Sequence, residues 1–282
     1  MKTKIIKLRI GAIQFGVTSD ITKNVEQIKK GIDWAHENRV NYIITPEVAL
    51  SGYAASEFSI HTCETVEKAM DELVNYASMK SVGLIIGTFW LEDKETRNDK
   101  GLLGKKYNQI RVYSPRGEFI DKVSKTHIVS FDMDCVAGEK PPIVEITHNN
   151  TVFKIGILIC NDLAGNYWTG GKNLPKVIQE KEGDVIVHCS NSAKDFMNEG
   201  EKEIHDNFHS SVTKFMSYAS NIPFISVDSS NSITGIDNNF ETSYPSGVYL
   251  PLETKYAAPK KGTDYFYFDV EKIKIINVEG EV

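Results

Sequence analysis

Three reactive side chains in this sequence each stand at the end of a short strand-like run. Cys160 directly follows the apolar run 155–159. Glu47 lies just beyond the run 40–45, and Lys125 ends a third strand-like segment. Runs of this length that are rich in β-branched residues are typical of buried strands. Because open α/β sheets bind ligands at the carboxyl ends of their strands, the sequence predicts a site where these side chains meet.

The Cys160 thiol is a candidate nucleophile, provided that a base and a group that stabilises an oxyanion converge on it. Each of the three residues also has a simpler interpretation. A buried cysteine commonly serves as a small hydrophobic residue, Glu47 could be a loop carboxylate in solvent, and Lys125 one of many surface lysines. The functional interpretation therefore depends on the three residues occurring together in one known pattern.

Three segments carry such a pattern. Residues 45–53 read Thr-Pro-Glu-Val-Ala-Leu-Ser-Gly-Tyr, residues 124–128 read Ser-Lys-Thr-His-Ile, and residues 156–162 read Gly-Ile-Leu-Ile-Cys-Asn-Asp. In order and spacing they resemble the Pro-Glu-x-x-x-x-Gly-Tyr, Lys-x-His-Leu and Gly-x-x-x-Cys-x-Asp segments of the nitrilase, or carbon–nitrogen hydrolase, superfamily. Residues 219–227 are similar to a later helix-to-strand step of that family, so the resemblance spans about residues 8 to 270.

This resemblance implies an α/β (α+β) fold, a four-layer αββα sandwich of two mixed β-sheets with helices on both outer faces. It also implies that Cys160 is the nucleophile, Glu47 the general base and Lys125 the partner of the oxyanion. An amide carbonyl is a poor electrophile, so attack on it requires an activated thiol and a stabilised tetrahedral oxyanion. Glu47 would move the thiol proton to the leaving amine and later activate water, and the Asn161 N–H would be a second oxyanion donor.

Other positions depart from the family pattern and leave the substrate open. Asn161 follows the cysteine where many members have an aromatic residue, and Ser217 replaces a common arginine. The second active-site glutamate of the family has no clear match, and Asp132 is the candidate that replaces it. The predicted substrate-binding residues are Tyr53, Asp132, Asn161 and Asn191, and Trp168 and Tyr244 are further candidates that are equally well explained by packing.

Two histidines lie close to these segments. His127 is a candidate base for a Cys-His hydrolase, but the resemblance implies instead that it orients the loop after Lys125. His188 ends a predicted strand, and we expect it to be a packed core residue rather than part of the pocket wall.

Apolar runs and helical periodicity predict the elements that position the site. The order begins β-α-β-α-β, continues with a hairpin around Pro115-Arg116-Gly117, and returns to β-α-β-α-β and further strands. Residues 92–106 are charged and contain glycine, which favours a surface loop. The predicted strands are 8–15, 40–45, 84–90, 107–114, 118–125, 152–160, 184–190, 223–227, 247–250 and 265–270, and the predicted helices are 24–38, 65–80, 174–181 and 201–221.

The composition is that of an ordinary globular protein. The 282 residues contain 41% hydrophobic residues, and no linker divides them convincingly, so we expect a single domain over residues 1–282. A net charge of −6 argues against a nucleic-acid partner, and no apolar run has the length of a membrane span. The four cysteines have no CxxC spacing, and no secretory h-region follows the basic N-terminus. We therefore expect a cytoplasmic protein without a metal or another cofactor.

These observations predict a thiol-dependent hydrolase of a small linear amide or N-carbamoyl compound, which releases ammonia or an amine through a cysteine thioester. Nitrile hydrolysis or amide acyl transfer at the same cysteine remains open. A non-catalytic member that binds a metabolite is a second alternative. A metal-dependent phosphoesterase with a similar sandwich is a third, although no convincing Asp and His cluster supports it. The family analogy also predicts at least a homodimer, formed through the face beyond the central strand and the long helix.

Overall fold

The computed structural model places two six-stranded β-sheets face to face, with helices on both outer sides. It describes residues 2–53, 60–97, 103–129, 132, 134–165, 170–191, 199–230 and 241–276. The strands are β1 (Lys2–Gln14), β2 (Tyr42–Ile44), β3 (Gly83–Arg97), β4 (Leu103–Tyr113), β5 (Phe119–Ser124), β6 (Ile143–His148), β7 (Thr151–Ile159), β8 (Val185–Cys189), β9 (Phe224–Val227), β10 (Gly247–Leu250), β11 (Glu253–Ala257) and β12 (Asp264–Ile276). The described helices are α1 (Ile21–Glu37), α2 (Ile60–Met79), α3 (Leu174–Glu180) and α4 (Glu199–Ser220).

Each sheet has three parallel strands at its centre and antiparallel strands outside them. In the first sheet, with the order β12-β1-β2-β3-β4-β5, the parallel strands β1, β2 and β3 are connected by α1 and α2. In the second sheet, with the order β11-β10-β9-β8-β7-β6, the parallel strands β7, β8 and β9 are connected by α3 and α4. Parallel neighbours need such crossover connections. The central strands of each sheet therefore all end at the same edge.

Apolar side chains form one layer between the sheets and two further layers beneath the helices. Ile44 of β2 and Ile157 of β7 pack between the sheets. Their neighbours point the other way because successive strand residues face opposite sides. Ile43 therefore packs beneath α1 and α2, and Leu158 packs beneath α3 and α4. This arrangement confirms the predicted four-layer αββα sandwich.

The helices cover the sheets through one apolar face each. α1 begins after Asp20, whose carboxylate accepts hydrogen bonds from the backbone N–H groups of Thr22 and Lys23. This N-cap satisfies donors that have no partner within the helix. Ile28 and Ile32 on the inner face of α1 are completely buried. Among the described helices, none combines the length and the apolar character that a membrane span requires.

The prediction of a surface loop over residues 92–106 was wrong for residues 92–97 and 103–106, and residues 98–102 lie outside the described residues. Strands β3 and β4 extend through most of this range and pair with each other, with Glu92 opposite Lys105. Asp93 forms an ion pair with Lys105 at 3.3 Å, and Glu92 forms one with Lys122 of β5. Opposite charges on neighbouring strands support pairing, so this hairpin extends without an apolar pattern.

Two strands, β6 and β11, were not predicted from the sequence. β6 precedes Asn149 and Asn150, whose φ angles of 49° and 55° are typical of the two-residue turns that connect hairpin strands. The two asparagines were therefore a usable signal for a strand before them. β11 lies at an edge of the second sheet and exposes all its residues, so no alternation of apolar and polar residues marks it.

Candidate active site

The three reactive residues follow strands of both sheets. Glu47 follows β2 and Lys125 follows β5 in the first sheet, and Cys160 follows β7 in the second. The backbone N–H of Glu47 donates to the carbonyl of Ser190, just after β8, at 3.2 Å. This bond joins the ends of the two sheets around Glu47.

A buried lysine lies between two buried carboxylates. Lys125 Nζ is 2.7 Å from Glu47 Oε1 and 2.6 Å from Asp132 Oδ2, and all three side chains are completely inaccessible to solvent. Burial disfavours the charge on Lys125, but the carboxylates of Glu47 and Asp132 outweigh this effect. The pKa of the Lys125 ammonium therefore lies well above its usual value. Lys125 thus carries a fixed positive charge at the centre of the site.

The Glu47 carboxylate accepts hydrogen bonds from three further groups. The Tyr53 hydroxyl donates to Oε1 at 2.7 Å, the Asn108 amide donates to Oε1 at 2.8 Å, and the backbone N–H of Asn191 donates to Oε2 at 3.0 Å. Burial raises the pKa of the Glu47 carboxyl and outweighs the opposing effect of Lys125. A carboxylate with a raised pKa is a stronger base, which is the property that proton abstraction from a thiol requires.

Asn108 is a site residue that the sequence analysis missed. Its amide also donates to Asp132 Oδ1 at 3.1 Å, so one side chain bridges both carboxylates. Asn108 lies in β4, and the backbone N–H of Lys125 donates to its carbonyl at 2.9 Å. The sequence marks it only as a polar residue inside a strand, and the pairing of β4 with β5 is what brings it to the site.

The placement of Glu47 involves an unusual backbone. Val48 has a φ angle of 45°, in the left-handed region that β-branched residues rarely adopt. The segment lies against Gly87 of β3, where any side chain would collide with the carbonyl oxygen of Pro46. The backbone N–H of Leu50 also donates to the Gly87 carbonyl at 3.0 Å. A glycine at position 87 therefore permits the close approach that positions Glu47.

Cys160 also lies on a strained turn. Its φ angle is 49°, and it begins the 3₁₀ turn Cys160–Leu163 directly after β7. Burial and the charge of Glu47 raise the pKa of the Cys160 thiol, and Lys125 offsets this only in part. The resting sulfur is thus a thiol rather than a thiolate, and a nucleophilic role would require a base to take its proton.

Asp162 ties the cysteine turn to the segment that follows the lysine. Its carboxylate accepts hydrogen bonds from the backbone N–H groups of Thr126 at 3.0 Å and His127 at 2.7 Å. Because Asp162 lies two residues after Cys160 and Thr126 directly follows Lys125, one carboxylate fixes both segments. The matched sequence pattern contained Asp162, but the sequence analysis assigned it no role.

The other predicted residues differ in what they contact. The Tyr53 hydroxyl and the Asn191 backbone N–H both donate to the Glu47 carboxylate. The Asp132 carboxylate contacts the Lys125 ammonium. The Asn161 side chain packs against the segment after Lys125, since its amide donates to the His127 carbonyl at 3.5 Å. The His127 ring contacts the Lys172 carbonyl through Nε2 at 3.0 Å, which fits the orienting role better than that of a base. Trp168 lies outside the described residues.

His188 is the packed core residue that we expected, since its side chain is completely buried. Tyr244, a further candidate for the pocket wall, is also buried and packs edge-on against the His188 ring, with ring centroids 4.7 Å apart. Both residues lie on the helix side of the second sheet, next to the cysteine turn.

The cysteines and the acidic residues provide no metal centre in the described part of the chain. All four cysteines are unpaired; Cys63 and Cys189 are buried, whereas Cys135 and Cys160 are half-buried. Within the described ranges, no group of three or more His, Cys, Asp or Glu side chains is arranged to hold a metal ion. The charged groups of the site, Glu47, Lys125 and Asp132, contact one another directly.

A comparison with protein-family models establishes the affiliation of the chain. The model of the family described as "Carbon-nitrogen hydrolase" matches residues 9–195, well over half of the 282 residues. The chain belongs to the carbon–nitrogen hydrolase family. The matched range of this carbon–nitrogen hydrolase contains Glu47, Lys125 and Cys160.

Curated relatives of this carbon–nitrogen hydrolase match a little over half of its length. The chain is 28% identical over 171 residues to the chloroplastic omega-amidase of Arabidopsis thaliana, which is 56% of this chain and 44% of that protein. It is 26% identical over 172 residues to nitrilase homolog 2 of Dictyostelium discoideum, which is 57% of this chain and 48% of that protein. The match thus spans about half the length of each of these relatives.

Solved structures match nearly the whole carbon–nitrogen hydrolase chain. An amidase from Nesterenkonia sp. superposes with a TM-score of 0.72 over 93% of this chain and 89% of that chain, at 16% sequence identity. A mutant of the amidase from Nesterenkonia sp. AN1, with covalent addition of the acetamide moiety of fluoroacetamide at its active site cysteine, gives a TM-score of 0.73 at 15% identity, over 93% and 90% of the two chains. At these identities the similarity establishes the fold.

Proposed function

We propose that this carbon–nitrogen hydrolase is a thiol-dependent enzyme that cleaves a non-peptide C–N bond in a small linear amide or N-carbamoyl compound. The observation that supports this best is the buried ion pair of Glu47 and Lys125 beside Cys160, whose pKa both groups shift. Membership of the family supports the type of bond. The curated omega-amidase and the amidase structure with a modified active-site cysteine support a cysteine amidase.

In the proposed first half-reaction, Glu47 takes the proton of the Cys160 thiol as the sulfur attacks the substrate carbonyl carbon. The carbonyl π electrons move to the oxygen, and the Lys125 ammonium and the Asn161 backbone N–H stabilise the resulting oxyanion. The intermediate collapses with cleavage of the C–N bond, and Glu47 returns the proton to the leaving nitrogen. Ammonia or an amine departs, and a thioester remains on Cys160.

In the proposed second half-reaction, water replaces the departed amine. Glu47 is ionised again, and it takes a proton from the water molecule as the water oxygen attacks the thioester carbon. The same two donors stabilise the second oxyanion, and its collapse breaks the C–S bond. The sulfur leaves with the proton from Glu47, so the thiol and the carboxylate both return to their starting states. Burial raises the pKa of Glu47, which favours its gain of a proton in each half.

We further propose that Asp132 replaces the second active-site carboxylate of the family by holding Lys125. Its contact with Lys125 Nζ, 2.6 Å long, supports this role. Tyr53 and Asn191 hold Glu47 from two sides, which keeps the base in one orientation. That Tyr53, Asp132, Asn161 and Asn191 contact the substrate stays a prediction.

A substrate panel tests the proposed reaction. We expect the purified protein to release ammonia or an amine from at least one small linear amide or N-carbamoyl amino acid or amine, and to be insensitive to chelators. Accumulation of the matching acid shows hydrolysis, and hydroxamate formation with added hydroxylamine traps the acyl-enzyme. Product from nitriles alone, or acyl transfer without hydrolysis, would favour those reactions at Cys160. Binding of a panel compound without turnover would favour a non-catalytic member.

We propose that the chain forms a homodimer through α4. Ile204, Phe215 and Tyr218 are large, exposed and apolar, and their spacing places them along one face of this long helix. Exposed apolar residues that share one surface are typical of interaction sites. A second copy of the chain would cover the face symmetrically, with the same residues on both sides.

A single charge on this helix face should break the dimer. In Phe215→Glu, a carboxylate would be desolvated in the interface, so we expect the dissociation constant to rise by about 100-fold or more. Light scattering at micromolar concentration measures the change as a shift from dimer to monomer mass. Ile273→Glu is the matched control, because Ile273 is 74% exposed on β12, compared with 55% for Phe215. A monomeric wild type, or equal behaviour of both variants, contradicts the proposal.

The remaining expectations are also proposals. Cysteines that are all unpaired support a reducing compartment such as the cytoplasm. A net charge of −6 supports a small-molecule substrate rather than nucleic acid. The pairing of β1 with β12, which joins both ends of the described chain in one sheet, supports one domain over residues 1–282.

A further inference from the structure

A buried histidine contacts the backbone of the cysteine turn. His188 lies opposite Leu158 in the paired strands β8 and β7, on the side of the sheet that faces the helices. Its ring Nε2 is 3.1 Å from the Cys160 carbonyl oxygen, and Nδ1 is 3.0 Å from Ser226 Oγ in β9. Tyr244 packs edge-on against the ring. The imidazole is thus held from three sides in one orientation.

The partners of the two ring nitrogens determine where the ring carries its proton. A carbonyl oxygen can only accept, so Nε2 carries the proton and donates to Cys160. Nδ1 then presents a lone pair and accepts from the Ser226 hydroxyl. Burial lowers the pKa of His188 to about 4, so the ring is neutral near pH 7. A neutral ring in one tautomer is suited to holding a position.

The carbonyl that His188 contacts belongs to the same peptide unit as the Asn161 N–H. Because a trans peptide is planar, its C=O and N–H point in opposite directions, and fixing one fixes the other. Cys160 has an unfavourable φ angle of 49°, so this unit depends on outside contacts to keep its orientation. A hydrogen bond to the carbonyl also polarises the unit and makes its N–H a stronger donor.

We infer that His188 is a positioning residue, which aims the Asn161 N–H at the oxyanion through its hydrogen bond to the Cys160 carbonyl. This inference rests on the proposed function, because an oxyanion forms only if Cys160 attacks a carbonyl group. His188 should therefore affect the rate of reactions that pass through an oxyanion, and leave unchanged the rate of direct substitution by the Cys160 thiol. A residue that only packs in the core affects both kinds of step alike.

Two reactions of Cys160 separate these roles. In acylation by p-nitrophenyl acetate, the sulfur attacks the ester carbonyl, an oxyanion forms, and p-nitrophenolate leaves while Glu47 takes the thiol proton. In alkylation by iodoacetamide, the S–C bond forms as the C–I bond breaks, iodide leaves, Glu47 takes the thiol proton, and no oxyanion forms. The rates of both reactions at Cys160 are measured by mass spectrometry of the peptide, with Cys160→Ala as the blank.

In His188→Phe, which keeps a ring but loses both hydrogen bonds, we expect acylation to slow by about 10- to 100-fold and alkylation to keep its rate. With the best amide of the panel, kcat should fall while KM changes little. His188→Gln should recover most of the loss, because its side-chain amide can again donate to the carbonyl. Ser226→Ala should show a smaller loss of the same kind, since Nδ1 loses the donor that fixes the tautomer.

Equal losses in acylation and alkylation, or unchanged acylation in His188→Phe, would overturn the inference. If His188→Phe does not fold, Ser226→Ala decides, because it removes only one hydroxyl. Slower acylation with unchanged alkylation in that variant supports the inference, and unchanged acylation overturns it. Ammonia release by the wild-type chain tests the amidase separately. If p-nitrophenyl acetate acylates Cys160 but the protein cleaves no amide, the proposed function is overturned. The acylation and alkylation rates of the His188 variants still test the positioning role in that case.

Discussion

Cys160→Ala should lower amide turnover by at least about 10,000-fold while the protein stays folded. The sulfur is the only atom of residue 160 that can form the thioester, and water alone attacks an amide very slowly. The half-buried side chain packs against apolar residues between the sheets and beneath α3 and α4, so we expect loss of its sulfur to lower the free energy of unfolding by about 1 kcal/mol, which leaves the chain folded. Ammonia release and thermal unfolding, measured on the same preparation, check both parts.

Cys63→Ala is the control for this variant. Cys63 lies in α2, and its sulfur is 3.6 Å from Glu67 Oε1, away from the residues of the site. Turnover per folded molecule should therefore equal that of the wild type, although the loss of a buried sulfur lowers stability somewhat. Turnover that persists in Cys160→Ala, or that falls equally in both variants, would remove Cys160 from the mechanism.

The ends of the central strands could be predicted because their apolar runs stop where reactive residues begin. β7 ends at Ile159 directly before Cys160, and β2 ends at Ile44 just before Glu47, close to the predicted bounds. Spacing alone did not predict that Lys125 contacts Glu47 across 78 residues of chain. That expectation came from the family resemblance, which combined three segments that are individually weak.

The partners of the reactive residues could not be predicted, because they depend on which strands become neighbours. Asn108 reaches both carboxylates only because β4 pairs with β5, and His188 reaches the Cys160 carbonyl only because β8 pairs with β7. In the sequence, Asn108 is one of several polar residues of its segment and His188 is a single polar residue after an apolar run, so neither indicates a partner. The left-handed φ angle of Val48 was equally hidden, since nothing about a valine favours that conformation.

Lys125→Met should strongly reduce amide turnover and also destabilise the fold. The methionine leaves the buried carboxylates of Glu47 and Asp132 without their cation, and breaking a buried ion pair on one side typically costs about 3–5 kcal/mol. Loss of the proposed oxyanion partner should lower kcat by about 1,000-fold. Denaturant unfolding near neutral pH and ammonia release measure the two effects.

The instability of Lys125→Met should lessen in mild acid. Burial already raises the pKa of the Glu47 carboxyl and Lys125 lowers it, so removal of the lysine raises that pKa further. Between the unfolded pKa and this raised value, the folded chain binds more protons than the unfolded chain, so stability falls as pH rises. The unfolding free energy of the variant should therefore be higher near pH 5 than near pH 8.

Two further variants separate the charge effect from a general loss of packing. Lys80→Met removes a lysine 2.9 Å from Asp33, in a pair whose side chains are 34% and 41% exposed, and should destabilise the fold far less than Lys125→Met. Adding Glu47→Gln and Asp132→Asn to Lys125→Met removes both unpaired charges, so stability should recover largely while turnover stays lost. If Lys125→Met unfolds no more easily than Lys80→Met, or the added amides restore nothing, charge is not what holds these three side chains together. In that case Lys125 is not the fixed cation on which the proposed oxyanion stabilisation depends.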